Sequence, residues 1–82
     1  MAKTFHLTIA KVGENLFDGE AVSLIAPGTD GVLTVLANHE PFVTPLKPGM
    51  IQVEAENGEK QSFELQSQGI LEVSQNQATV IL

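Results

Sequence analysis

Alternation of apolar and polar side chains with a period of two runs through this chain and restricts it to strands. Phe5, Leu7 and Ile9 alternate with His6 and Thr8, and Ile51, Val53 and Ala55 alternate with Gln52, Glu54 and Glu56. Phe63 and Leu65 alternate in the same way with Ser62, Glu64 and Gln66. Successive side chains of a strand point to opposite faces, so each run carries one buried and one wet face. No window sustains the three-and-four spacing of a helix. The expected fold is therefore all-β.

Further strands are expected at residues 21–26, 32–36, 70–74 and 78–82, with turn-forming residues between them. Pro27-Gly28-Thr29-Asp30-Gly31, Lys47-Pro48-Gly49 and Ser74-Gln75-Asn76 preset or tolerate turn dihedrals. Asn57-Gly58 between two alternating runs predicts a hairpin with a type I′ turn, because both residues accept positive φ. Short strands separated by turns at intervals of about 8–12 residues suggest a β-sandwich or barrel. Two segments, Val32 to Leu36 and Val80-Ile81-Leu82, are apolar on both faces. One face enters the core, and the other is covered either by a neighbouring strand or by a partner protein.

With 82 residues, the chain is expected to form one domain over residues 1–82. Cysteine is absent, which removes disulfides, thiolate metal sites and thiol nucleophiles. The net charge is −6, there is no arginine, and the lysines Lys3, Lys11, Lys47 and Lys60 are scattered singly. Nucleic acid is not an expected partner, because phosphate backbones are bound by clustered cations. The N-terminus has no apolar signal core, and no stretch approaches the roughly 18 apolar residues of a membrane helix, so the expectation is a soluble cytoplasmic chain without membrane insertion.

No constellation for catalysis is legible. His6 and His39 are far apart in sequence, and His6 reads as an exposed residue on the polar side of its strand. Glu54, Glu56 and Glu64 read as a solvated acidic face, with Glu64 across the hairpin from the other two. Gly28 and Gly31 are followed by neither Lys-Ser nor Lys-Thr, so ATP binding is not expected. No catalytic residue, cofactor or metal is assigned.

The run from Ala26 to Met50 is more specific, and it resembles the epsilon subunit of F-type ATP synthases. That family shows a Gly-x-acid-Gly turn, an apolar strand, a His-x-Pro loop, a Thr and a Lys-Pro-Gly turn. These stand here as Gly28, Asp30 and Gly31, then His39 and Pro41, then Thr44, then Lys47, Pro48 and Gly49. The resemblance extends to Thr4-Phe5-His6-Leu7, a Phe17-Asp18-Gly19 turn and a strand at Gly69-Ile70-Leu71-Glu72-Val73, and so covers essentially the whole chain.

The resemblance implies a flattened β-sandwich of about ten short, mostly antiparallel strands. It also implies a non-catalytic place in the central stalk of a rotary ATP synthase, linking the gamma subunit to the polar loops of the c-ring and coupling ion flow to ATP synthesis. The chain would then lie peripherally on the cytoplasmic face of an energy-transducing membrane, in a bacterial cell. Val32, Leu36, His39, Pro41, Phe42 and Thr44 are the expected gamma-subunit contacts, and Gly28, Asp30 and Gly31 the expected c-ring contacts. For His39 the alternative is a loop residue that caps local backbone.

This sequence departs from the family pattern where Val32 and Thr34 replace an acid and a glycine, at Ala37-Asn38, and at Gln68. After Leu82 the helical hairpin of most members is missing, implying a short form or a chain cut at that point. A biotinyl- or lipoyl-type carrier domain is the competing reading, with Lys60 near the Asn57-Gly58 turn, although the residues that flank a carrier lysine are absent.

Overall fold

A computed structural model describes residues 3–82, leaving residues 1 and 2 of the expected domain outside the description. Among the described residues there are eight strands: β1 (Phe5–Lys11), β2 (Glu14–Gly28), β3 (Gly31–Leu36), β4 (Phe42–Leu46), β5 (Gly49–Ala55), β6 (Lys60–Leu65), β7 (Gly69–Ser74) and β8 (Gln77–Ile81). The sequence reading of a sandwich thus holds as a fold class, with eight strands in place of about ten.

The difference in count lies in β2, whose 15 residues serve two layers. Its first half pairs with β1, from Lys11↔Glu14 to Phe5↔Ala21. Its second half pairs with β5 on one edge and β3 on the other, where Leu24 lies opposite both Val53 and Val35. The register slips between Ala21 and Ser23, a bulge of the kind that lets a strand bend from one sheet into the next. One layer is thus β4-β7-β8-β1 with the start of β2, and the other is β3, the end of β2, β5 and β6. A bridge between Gly28 and Leu46 joins the layers at one end. β1 and β8 run parallel, and the other pairings are antiparallel.

The alternation read from the sequence becomes burial. Phe5, Leu7 and Ile9 from β1, Leu24 from β2, Leu46, Ile51, Leu71 and Val80 are fully buried between the layers. None of the described polar side chains is buried, so the core is held by apolar contact alone.

Three local expectations are corrected. Phe17-Asp18-Gly19 is not a turn but the middle of β2, paired with Ile9, Thr8 and Leu7. The chain reverses earlier, at Val12-Gly13, where Gly13 takes φ 86°. The Asn57-Gly58 hairpin forms, but only Gly58 has positive φ, at 87°. Gly58 N–H donates to Ala55 O at 2.9 Å and Ala55 N–H to Glu59 O at 2.8 Å, which makes a three-residue loop ending in a left-handed glycine. The tight two-residue turn with both central φ positive is Gln75-Asn76, at 52° and 60°, between β7 and β8. Across the β5–β6 hairpin Glu54 faces Lys60 and Glu64 faces Met50, so the carboxylates are not cross-strand neighbours.

Candidate partner-binding surfaces

The residues singled out by the sequence fall at two ends of the sandwich. Gly28, Asp30 and Gly31 form the tip of the β2–β3 hairpin, where Gly28 and Gly31 are paired and Thr29-Asp30 is the two-residue turn. A Cβ on Gly28 would stand 2.8 Å from Gly31 O and 2.9 Å from Leu33 Cδ2, so only glycine fits. Gly31 has φ 134°, outside the range that L side chains readily adopt. The tip is moored to the end of β4 and the residue after it, because Thr29 N–H donates to Pro45 O at 3.4 Å and Lys47 N–H to Pro27 O at 2.9 Å. Asp30 and Lys47 are both exposed at this end and offer one charge of each sign.

β3 then carries the chain back over six residues, about 20 Å at strand rise, to the 37–41 loop at the other end. Val35 on its inner side is buried, while on its outer side Val32 is 74% and Leu36 54% exposed. The apolar run on two faces therefore resolves into one core face and one open face, which no strand among the described residues covers. Glycine at Gly31 and the tight tip set this phase, since a slip by one residue would exchange the two faces.

In the 37–41 loop Asn38 takes φ 63°, and its N–H donates to the side-chain Oδ1 of Asn76 at 2.7 Å. His39 N–H donates to Leu36 O at 3.3 Å, and its ring Nδ1–H donates to Glu40 O at 2.9 Å, the local backbone capping foreseen as the alternative for this residue. The exposed ring also lies against Phe42, with centroids 4.8 Å apart and planes tilted by 51°. Pro41 is exposed, whereas Phe42 and Thr44 are half-buried on the side of β4 that also carries the buried Leu46. Phe42 packs against the core. The six expected gamma-subunit contacts thus divide into an outer pair on β3, an exposed pair in the loop, and a core-facing pair on β4.

Sequence reading found only one part, the two-faced run at 80–82, of a second apolar area on the other layer. Ile70 on β7 is the register partner of both Pro45 on β4 and Ile81 on β8, and Ile81 pairs with Ala10 on β1. With Ile70 and Ile81 each 51% exposed and Val43 65% exposed, this makes an apolar row across four strands. Its signal was Ile81 within the two-faced run at 80–82 and Ile70 standing out of phase with Leu71 and Val73.

The His39 ring is engaged by local backbone, and the described residues contain no group of three His, Cys, Asp or Glu disposed to hold a metal ion. Lys60 sits within β6 opposite Glu54 rather than at the hairpin tip, unlike the displayed lysine of a carrier domain.

Comparison with known proteins matches residues 4–82 to the family described as ATP synthase, Delta/Epsilon chain, beta-sandwich domain. ATP synthase epsilon chain 1 of Methylococcus capsulatus is 40% identical over 81 residues, covering 99% of this chain and 57% of the relative. The ATP synthase epsilon chain of Psychrobacter arcticus is 40% identical over 78 residues, covering 95% of this chain and 56% of the relative. The chain thus spans a little over half the length of these relatives.

Among solved structures, a chain of the Euglena gracilis mitochondrial ATP synthase, an assembly of OSCP, F1 and c-ring, superposes with TM-score 0.87 and 26% identity, over 95% of this chain and 49% of that one. A chain of the Tetrahymena thermophila central stalk and c-ring structure shares the fold, with TM-score 0.76, 17% identity, and coverage of 96% and 63%. The comparisons give the carrier reading no support.

Proposed function

The chain belongs to the ATP synthase delta/epsilon-chain β-sandwich family, and from that membership we propose that it is a non-catalytic central-stalk component, binding the gamma subunit and the c-ring and so coupling ion flow to ATP synthesis. It would lie peripherally on an energy-transducing membrane, on the cytoplasmic face of a bacterial cell membrane. Support for the assembly comes from the likeness to a chain solved together with F1 and a c-ring.

The observation that carries the proposal is the placement of two exposed features at opposite ends of one sandwich. At one end is a glycine-locked hairpin tip bearing Asp30; beyond it lie the open β3 face and the 37–41 loop. A sandwich tied by eight paired strands transmits torque between two such contacts without internal chemistry. The tip suits small polar loops through charge and backbone groups, and the Val32/Leu36 face suits an apolar protein surface.

Calorimetric titration of the chain with gamma subunit tests the first contact. ATP synthesis by reconstituted membranes tests the second, with Asp30→Lys expected to lower coupling. Preserved affinity in Leu36→Asp together with preserved coupling in Asp30→Lys would remove both assignments.

A further inference from the structure

His6 is held in an arrangement that only its protonated form satisfies. Its Nε2 lies 2.7 Å from Asp18 Oδ1 and its Nδ1 3.2 Å from Glu20 Oε2. Neutral imidazole has one N–H and one lone pair, so it can donate to one carboxylate but must direct its lone pair at the other. Imidazolium donates to both. Register explains the arrangement, since His6 is directly opposite Glu20 on β2 and Asp18 is one step along the same face.

A chain of hydrogen bonds leads away from this cluster. Thr4 Oγ1–H donates to the other oxygen of Glu20, Oε1, at 2.9 Å. The carbonyl of Thr4 accepts from Asn76 Nδ2–H at 2.9 Å, and His6 N–H donates to Asn76 O at 3.2 Å. Asn76 Oδ1 in turn accepts from Asn38 N–H at 2.7 Å. One side-chain amide therefore ties the start of β1 to the 37–41 loop, across 38 residues on one side and 72 on the other. Asn76 can do so because the tight turn holds it at φ 60°, where asparagine is tolerated.

We propose that His6, Asp18 and Glu20 form a proton-controlled clamp whose state passes through Thr4 and Asn76 to Asn38, setting how firmly the 37–41 loop is held. With the imidazole protonated, Glu20 is fixed between His6 and Thr4, and the bridge to Asn38 has a rigid base. Loss of the proton turns one ring nitrogen into a lone pair facing a carboxylate, which drives that carboxylate off and frees the start of β1. Among the described residues, the titratable groups that face the ring are Asp18 and Glu20 from β2. From β8 and its turn come the neutral Gln77 and Asn76, and Thr4 and Thr8 flank it on β1.

The two acceptors, Asp18 first and Glu20 second, raise the His6 pKa above its ordinary value of 6.5 against desolvation, so the proton is lost only at a pH above that value. The consequence for partner binding rests on the docking role proposed above for the loop; the clamp itself does not.

The test is proton NMR titration of the chain from pH 5 to 9, in wild type and in His39→Gln, which removes the imidazole next to Asn38. The expected result is a His6 ring midpoint above 6.5, followed at the same midpoint by the Asn38 and Asn76 amides. His6→Gln should abolish both amide responses. Asn76→Gly, which keeps the left-handed turn and deletes only the amide, should leave the His6 midpoint in place and silence Asn38. The proposal is overturned by a His6 midpoint at or below 6.5, by an Asn38 amide that does not follow it, or by an Asn38 response that survives Asn76→Gly. Coupled amide responses with a pH-independent affinity for gamma subunit would confirm the clamp and count against the docking role of the loop.

Discussion

The imidazole of His39 lies against the Phe42 ring at a centroid distance of 4.8 Å, a contact that joins an exposed loop residue to a ring packed on the sandwich core. Phe42 faces Val73 across the β4–β7 ladder and packs with the buried cluster, so the ring is at once the floor of the loop and part of the core. His39 packs against it at a tilt of 51°, with its own ring N–H occupied by Glu40 O. The loop is therefore preorganised, which lowers the ordering cost of any complex it forms.

Truncating these two rings should have unequal effects. Phe42→Ala removes a half-buried ring and should destabilise the chain by about 2 kcal/mol, below the 3–5 kcal/mol of a fully buried phenylalanine. His39→Ala loses the tilted ring contact and the exposed hydrogen bond to Glu40 O, and should cost about 0.5–1 kcal/mol. Urea denaturation of both variants is the measurement; equal losses would mean that Phe42 is not a core residue.

Gly28 and Gly31 should each resist substitution for a different reason. Gly28→Ala places a methyl 2.8 Å from a backbone oxygen, which cannot swing aside as a side chain could, and should cost about 1–3 kcal/mol as an overpacked site. Around Gly31 the space is open, so the penalty of Gly31→Ala is backbone strain at φ 134° alone, on the order of 1–3 kcal/mol. Thermal unfolding reads both, and the first is the one that a Leu33→Ala partner substitution should fail to rescue, because the backbone clash remains.

The sandwich was legible because β1, β5 and β6 alternate cleanly, and the alternation became burial at Phe5, Leu7, Ile9, Ile51, Val53 and Leu65. β4 escaped detection because Pro45, which lacks a backbone donor, and Thr44 interrupt its apolar pattern, yet the strand forms at a position where pairing with Ile70 tolerates proline. The turn type at Asn57-Gly58 was misread because loop length decides it, and closure of the hairpin by Ala55 N–H on Glu59 O leaves three residues rather than two for the reversal. At the candidate surfaces, the hairpin tip and the open face of β3 followed from residue types. The inward direction of Phe42, the Asn76 bridge and the His6 clamp depend on contacts between segments far apart in the chain, which a sequence pattern does not encode.

Charged substitutions on the outer side of β3 should separate folding from binding. Val32 and Leu36 lose little water on folding, so Val32→Lys and Leu36→Asp should alter stability by no more than about 0.5 kcal/mol. If gamma subunit covers this face, each desolvated charge should weaken the complex by 2 kcal/mol or more, on the order of 30-fold in Kd. Calorimetry with gamma subunit checks this, and unchanged Kd in both variants would place the interface elsewhere.

The pH dependence of stability should carry the sign of a group whose folded-state pKa is raised. His6 binds its proton more tightly in the folded chain than at its ordinary value of 6.5, owing to the hydrogen bonds its ring donates to Asp18 and then Glu20. Below 6.5 both folded and unfolded chains are protonated, and the full contribution of the clamp is present. Between 6.5 and the raised folded value the unfolded chain loses its proton first, so stability falls as pH rises; above the folded value the contribution is gone. Because His6, Asp18 and Glu20 are each about half exposed, solvent and salt screen the effect, and it should be small and shrink further in molar salt. Melting temperatures of wild type and His6→Gln measured across pH 5 to 9 should therefore converge toward the alkaline end and separate toward the acid end, with wild type the more stable. A gap that widens with rising pH would require the opposite pKa displacement and would exclude a charged His6 in the folded chain.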